Sequence, residues 1–209
     1  MLTMNDLLNQ SSARHDHLCP RQVLGVRLGM LAAQELKLEL PQADKRVLTI
    51  VETDGCFADG VEVATGCSVG HRTLRVEDYG KVAATLVDTL TGQTIRIAPR
   101  GEARSVARKY APTARNRWEA QLIGYQRMPI DELFRIEEVR LNTPIETIVS
   151  HAGRKAVCAQ CGEEIINGRE IISEGKVWCK ACWVGGYYTS SQAELSSLEQ
   201  LFELGFVGE

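Results

Sequence analysis

The 209-residue chain has no apolar run approaching the roughly 20 residues that a membrane span needs. Its start, Met1-Leu-Thr-Met-Asn-Asp-Leu-Leu8, has neither a basic n-region nor an apolar h-region. No secretory leader is therefore expected, and a cytoplasmic location is. A strong charge of either sign is also missing: 24 Lys and Arg against 27 Asp and Glu leave a net −3. That balance argues against a general nucleic-acid binder and says nothing about fold. Nor is the cysteine count even. There are seven, four of them in CxxC pairs, which points to a reducing compartment with thiols used for metal or chemistry rather than for disulfides.

What is present is ordinary for a globular protein, 44% apolar and 24% charged. The length allows one sizeable core and a small module. The chain is organised around a stretch that begins where the apolar run Val47-Leu-Thr-Ile-Val51 stops at Asp54-Gly55. Cys56 follows, then Phe57, Val61 and Ala64 at helical spacing, with Gly66 as the expected C-cap. Cys56 is thus expected where a strand end meets a helix N-terminus, and there the unpaired N–H groups and the helix dipole favour a thiolate. Cys67 closes the same helix, with the dipole against it, and His71 comes four residues later.

Upstream, His15-Asp16-His17-Leu18-Cys19-Pro20 precedes a second helical pattern, whose apolar face is Val23, Leu24, Leu28, Leu31, Ala32 and Leu36. Pro20 suits a first helical turn, so Cys19 is also expected at a helix start. On an extended segment His15 and His17 would point to one side, and with Cys19 they place three candidate metal ligands within five residues. Gly25 and Gly29 predict close packing of this helix against another backbone. Further on, residues 74–79 read as a strand, residues 82–87 and 94–97 as a hairpin, and residues 136–141 as a last strand. Helices are expected at about 115–126 and just after Pro129. Strands mixed unevenly with helices predict an α+β fold, a mixed sheet flanked by helices. Arg104 and Arg108 in the basic run 100–117 are spaced to bind an anion, although a solvated helix face explains them equally well. Residues 142–153 read as the linker, giving a core domain over 1–150 and a small domain over 151–209.

The second domain carries Cys158-Ala-Gln-Cys161 and, after seventeen intervening residues, Cys179-Lys-Ala-Cys182. Two tight turns of this kind aim four sulfurs at one ion, with no open position. A structural zinc is expected, tetrahedral iron being the competitor. The intervening hairpin, with a helical turn at Cys179, is the plan of a treble-clef or zinc-ribbon module. Leu195, Leu198, Leu201, Phe202 and Phe206 predict an amphipathic helix over 192–206.

With these residues in view, the chain resembles the E-subunit family of formylmethanofuran dehydrogenase. The resemblance lies in residues 15–30, in Glu52-Thr-Asp-Gly-Cys56, in Thr65-Gly-Cys67-Ser-Val-Gly70 and in Val76-Glu-Asp-Tyr-Gly-Lys81. It implies an α+β core, frequent homodimers and, in some members, a C-terminal zinc finger. It also implies a second metal site in the core, built from His15, His17, Cys19 and Cys56, with Cys67 as a further candidate. Two functions follow as expectations. One is a metal-binding accessory protein or subunit of a molybdenum or tungsten formylmethanofuran dehydrogenase system, with neither membrane nor nucleic acid as partner. The other is a stand-alone metal- or thiolate-dependent enzyme, with Cys56 and Cys19 as catalytic thiols or ligands and His17 as ligand or base.

Overall fold

Thr3 and Asp6 cap the first helix reciprocally. The Thr3 N–H donates to the Asp6 carboxylate at 2.9 Å, and the Asp6 N–H donates to the Thr3 hydroxyl oxygen at 3.2 Å. The helix, α1 (Met4–Ser12), has no counterpart in the periodicity reading, although its capping pair is visible in the sequence. The structure, a computed structural model, describes residues 2–15, 17–149 and 151–189. It divides into two compact units, Met1–Val149 and Ser150–Glu209.

In the first unit α2 (Pro20–Leu36) begins with proline at its first turn and Cys19 as N-cap. Strand β1 (Val47–Val51) leads through Gly55 into α3 (Cys56–Thr65). Gly55 has φ +72° and ψ −154°, a conformation essentially reserved for glycine. Helix α3 is the crossover that lets β2 (Leu74–Val76) pair parallel with β1, since parallel neighbours cannot be joined by a tight turn. Antiparallel β3 (Ala84–Asp88), β4 (Thr94–Pro99) and β5 (Phe134–Glu138) complete a mixed sheet in the order β2-β1-β3-β4-β5. Helix α4 (Ala103–Val106), a 3-10 turn over Ala107–Tyr110, α5 (Arg117–Arg127) and α6 (Ile130–Leu133) link β4 to β5, and α7 (Ile145–Ile148) follows. One buried cluster joins α1, α2 and α3 to Val51, Leu86, Ile95 and Ile97 of the sheet.

The expected strand over 74–79 stops at Val76. Beyond it the Glu77 N–H turns to the Val51 carbonyl, and those of Tyr79 and Lys81 turn to the Glu52 carbonyl. The Glu52 side chain is held by a bidentate pair with Arg96 of β4, at 2.6 and 2.8 Å. The segment between β1 and Cys56 is therefore anchored from two sides. The last strand begins at Phe134, opposite Pro99, two residues before its expected start. The expected linker is not all coil, because it contains α7.

Asp88, at the end of β3, is almost fully buried and accepts from Arg46 Nε and Nη2 at 3.0 and 2.9 Å, the Leu90 N–H and the Thr91 hydroxyl. Arg46 first, with these other donors, holds its carboxyl at about 2, below the ordinary 3.8. The unfolded chain therefore binds the extra proton first as pH falls. The resulting stabilisation is complete above about pH 4 and is lost towards about pH 2, amounting to at most about 2 kcal/mol. Asp88→Asn is expected to flatten this part of the pH–stability curve, read by denaturant titration at each pH.

The second unit has two hairpins, β6 (Lys155–Val157) with β7 (Glu164–Ile166) and β8 (Ile171–Ser173) with β9 (Lys176–Trp178), followed by α8 (Lys180–Val184). The expected amphipathic helix over 192–206 lies outside the described residues.

Candidate functional site

Gly25 and Gly60 determine where the core thiols sit. A Cβ on Gly25 would lie 2.3 Å from the Phe57 carbonyl oxygen, and one on Gly60 would lie 2.4 Å from that of Gln22. Further along, a Cβ on Gly29 would meet Ala64 Cβ at 2.5 Å. Positions advance together on both helices, so α2 and α3 run parallel in close contact and present their N-terminal ends side by side. Cys19 and Cys56 occupy those ends, near enough for the Cys19 thiol to raise the Cys56 thiol from its ordinary value. Gln22 fixes the Cys19 end. Its side-chain oxygen accepts the Cys19 N–H at 2.7 Å, and its amide donates to the Ser11 carbonyl at 2.8 Å.

The pair lies at the floor of a cleft of about 610 Å³. The first turn of α2 forms one wall. Arg104 of α4 and Arg117, Trp118 and Tyr125 of α5 form the other. Arg27 of α2 holds α5 in place by donating to the Tyr125 and Met128 carbonyls at 2.5 and 2.6 Å.

The expected free thiolate at Cys56 is not what this environment favours. Burial, then the hydrogen bond and charge of Cys19, and last the field of Asp59, push the Cys56 thiol up from its ordinary value. The lowering from its own backbone N–H is outweighed. A bound cation would reverse the balance, because a coordinating thiol loses its proton outright.

The imidazoles do not point to one side. Residues 13–15 form the turn after α1 rather than an extended segment. His15 Nε2 meets the Asp59 carboxylate of α3 at 2.5 Å, and Asp59 also faces Arg14 at 3.8 Å. His17 packs its ring against Trp118, a cleft-lining residue, with centroids 6.4 Å apart. Cys67 is not brought to the pair. It lies beyond the far end of the ten-residue α3, about 15 Å in length, where its thiol donates to the Val47 carbonyl and accepts from the Thr49 hydroxyl, both at 3.3 Å. His71 sits in an exposed turn. Arg108, paired in the sequence with Arg104, donates instead to the Ala114 carbonyl at 2.8 Å. Arg21, Trp118 and Tyr125 carried no sequence signal, because nothing in a local pattern says that α5 returns over the start of α2.

In the second unit Cys158, Cys161, Cys179 and Cys182 bring their sulfurs within 4.8 Å of one another, and this is the single cluster of three or more such donors among the described residues. The Cys161–Cys179 sulfur separation, 3.9 Å, matches the edge of a tetrahedron with metal–sulfur bonds of about 2.3 Å. The backbone N–H groups of Cys161 and Cys179 draw Cys158 down to about 6. Cys182 is pushed up to about 12, first by its hydrogen bond with Cys179. One stabilised thiolate beside thiols that resist ionising is the field that a dication neutralises, and the donor set fits a structural metal.

Fold and sites together define an α+β domain that presents a paired-thiol cleft, followed by a four-cysteine module of treble-clef or zinc-ribbon plan. The family model described as "FmdE, Molybdenum formylmethanofuran dehydrogenase operon" matches residues 14–135, and the chain belongs to the FmdE family. A probable S-adenosyl-L-methionine-binding protein of Archaeoglobus fulgidus is 30% identical over 205 aligned positions, 87% of this chain and 53% of the relative. The chain thus spans about half the length of that curated relative. Among solved structures, an FmdE-like protein of the tungsten formylmethanofuran dehydrogenase type, from Syntrophus aciditrophicus, aligns with a TM-score of 0.55 and 23% identity. The alignment covers 90% of this chain and 96% of that one, a likeness of fold. Among the described residues no helix is long and apolar enough to cross a membrane.

Proposed function

We propose that the chain is a metal-binding accessory protein of a molybdenum or tungsten formylmethanofuran dehydrogenase system, with a structural zinc in its C-terminal module and a second divalent metal in its core. The observation that carries the core site is the convergence of Cys19 and Cys56 at two parallel helix ends on the floor of one cleft. A bound dication would hold both thiols as thiolates against the burial that raises Cys56. His17, packed against the cleft-lining Trp118, and His15 if it is released from Asp59, are the imidazoles within reach of completing the ligand set. Cys67 is left out of it, being engaged by β1. Seven cysteines without a disulfide support a reducing, cytoplasmic setting. Family membership supports the dehydrogenase subunits as partners, and a homodimer remains part of the proposal.

A second reading, a metal- or thiolate-dependent enzyme, is favoured by one feature. The thiol pair opens onto a cleft, and a site with an unfilled coordination position is built for chemistry. The first reading and the metal-dependent form of the second share the core metal, and elemental analysis tests it. The full chain, purified without chelator, is expected to carry two metals, Cys19→Ser/Cys56→Ser one, and Cys67→Ser two. Unchanged stoichiometry in the double variant would remove the core site.

A further inference from the structure

Most arginines of the first unit have a partner. Arg14, Arg46, Arg96, Arg115 and Arg135 face carboxylates, and Arg27, Arg100 and Arg108 donate to backbone carbonyls. Three that face the cleft have none of this. No carboxylate of the described residues comes within 4.0 Å of Arg21, Arg104 or Arg117, and no carboxylate is among the residues lining the cleft. Among the described residues, the acidic group whose field reaches Cys56 is Asp59, already engaged by His15 and Arg14. The charges of Arg104 and Arg117 both act on the buried Tyr125 hydroxyl, and burial outweighs them in pushing it up.

Gln121 adds one neutral polar group to the lining, and Pro20, Leu24, Val82 and Trp118 make the rest of it largely apolar. The indole of Trp118 is about half exposed, at 48%, on a wall where a large aromatic ring gains nothing from water. Guanidiniums recognise carboxylate and phosphate through paired N–H donors. An indole face accepts a flat ligand body. A cleft of about 610 Å³ lies within the range of small-molecule sites.

We infer that the cleft above Cys19 and Cys56 binds a small anionic organic molecule, held by its carboxylate or phosphate between Arg104 and Arg117, with Arg21 at the mouth and a flat apolar body against Trp118. This assigns a ligand class to the cleft of the proposed core site. It rests on the arginines and the indole, and it does not require the core metal.

The test is calorimetric titration of the full metal-loaded chain with benzoate and with phenyl phosphate, which separate the two anion chemistries. Benzamide serves as the uncharged isostere and inorganic phosphate as the anion without a body. At least one of the two aromatic anions is expected to bind, at least tenfold more tightly than benzamide. Arg104→Gln/Arg117→Gln is expected to weaken it at least tenfold, with circular dichroism checking that the variant is folded. Trp118→Ala is expected to weaken the aromatic anion and leave inorganic phosphate unchanged. The inference is overturned if neither aromatic anion binds at millimolar concentration, if benzamide binds as well, or if the arginine variant binds as tightly as the parent. Arg21→Gln/Arg104→Gln gives the same readout should the first variant fail to fold. In Cys19→Ser/Cys56→Ser the arginine-dependent binding is expected to persist. Metal retained there with anion binding kept would sink the metal reading alone, and arginine-dependent binding lost there would overturn this inference.

Discussion

Gly60→Val is expected to lower the unfolding midpoint sharply and, in the same protein, to abolish metal binding in the core. The added Cβ alone would sit 2.4 Å from the Gln22 carbonyl oxygen and 2.9 Å from the Val26 nitrogen, both backbone atoms of α2. No rotamer change can relieve such a contact, so the helices must part. Overpacking typically costs about 1–3 kcal/mol even where side chains can give way, and here they cannot. Parting the helices also parts Cys19 from Cys56, so stability and metal content should fall together. Gly101→Ala is the control, because a Cβ there meets nothing within 4 Å, and it is expected to leave both unchanged. Thermal unfolding and elemental analysis read the two effects. A stable Gly60→Val protein with full metal content would show that helix contact does not place the thiols.

Removing the metal from the four-cysteine module is expected to unfold residues 155–184 and to leave the first unit intact. Among the described residues of the second unit, the buried apolar side chains are Cys158 and Ile165. One Ile brings roughly 1.5–3 kcal/mol on burial, far too little to order two three-residue hairpins at about 1–2 kcal/mol of backbone entropy per residue. A structural zinc supplies about 10–16 kcal/mol in comparable small modules and takes the place of a core. Hydrogen exchange after chelation, or in Cys158→Ala, should show protection lost across the module and kept in α2 and β3. Continued protection of 155–184 without metal would mean that something other than the ion holds the module together.

The elements that the sequence made legible are those whose signal is local. The apolar run of β1, the 3.6-residue pattern of α2 and the CxxC spacing each need only neighbouring residues to be read. Gly25 and Gly29, four apart on α2, announced a close helix contact, although not that Gly60 and Ala64 of α3 would meet them. What stayed hidden depends on the return path of the chain. Trp118 reaches the cleft because Arg27 anchors α5 beside α2. His15 and His17 diverge because α1 ends in a turn where an extended segment was expected. The thiolate expectation at Cys56 took account of the helix end but not of burial or of a second thiol, and burial is the larger effect.

The central claim, that Cys19 and Cys56 hold a metal, is tested most directly by anomalous X-ray scattering from crystals of the full chain grown from metal-replete, chelator-free protein. Two anomalous peaks per chain are predicted, one among the sulfurs of Cys158, Cys161, Cys179 and Cys182 and one within bonding distance of both Cys19 and Cys56 Sγ. A single peak, confined to the four-cysteine module, would contradict the account.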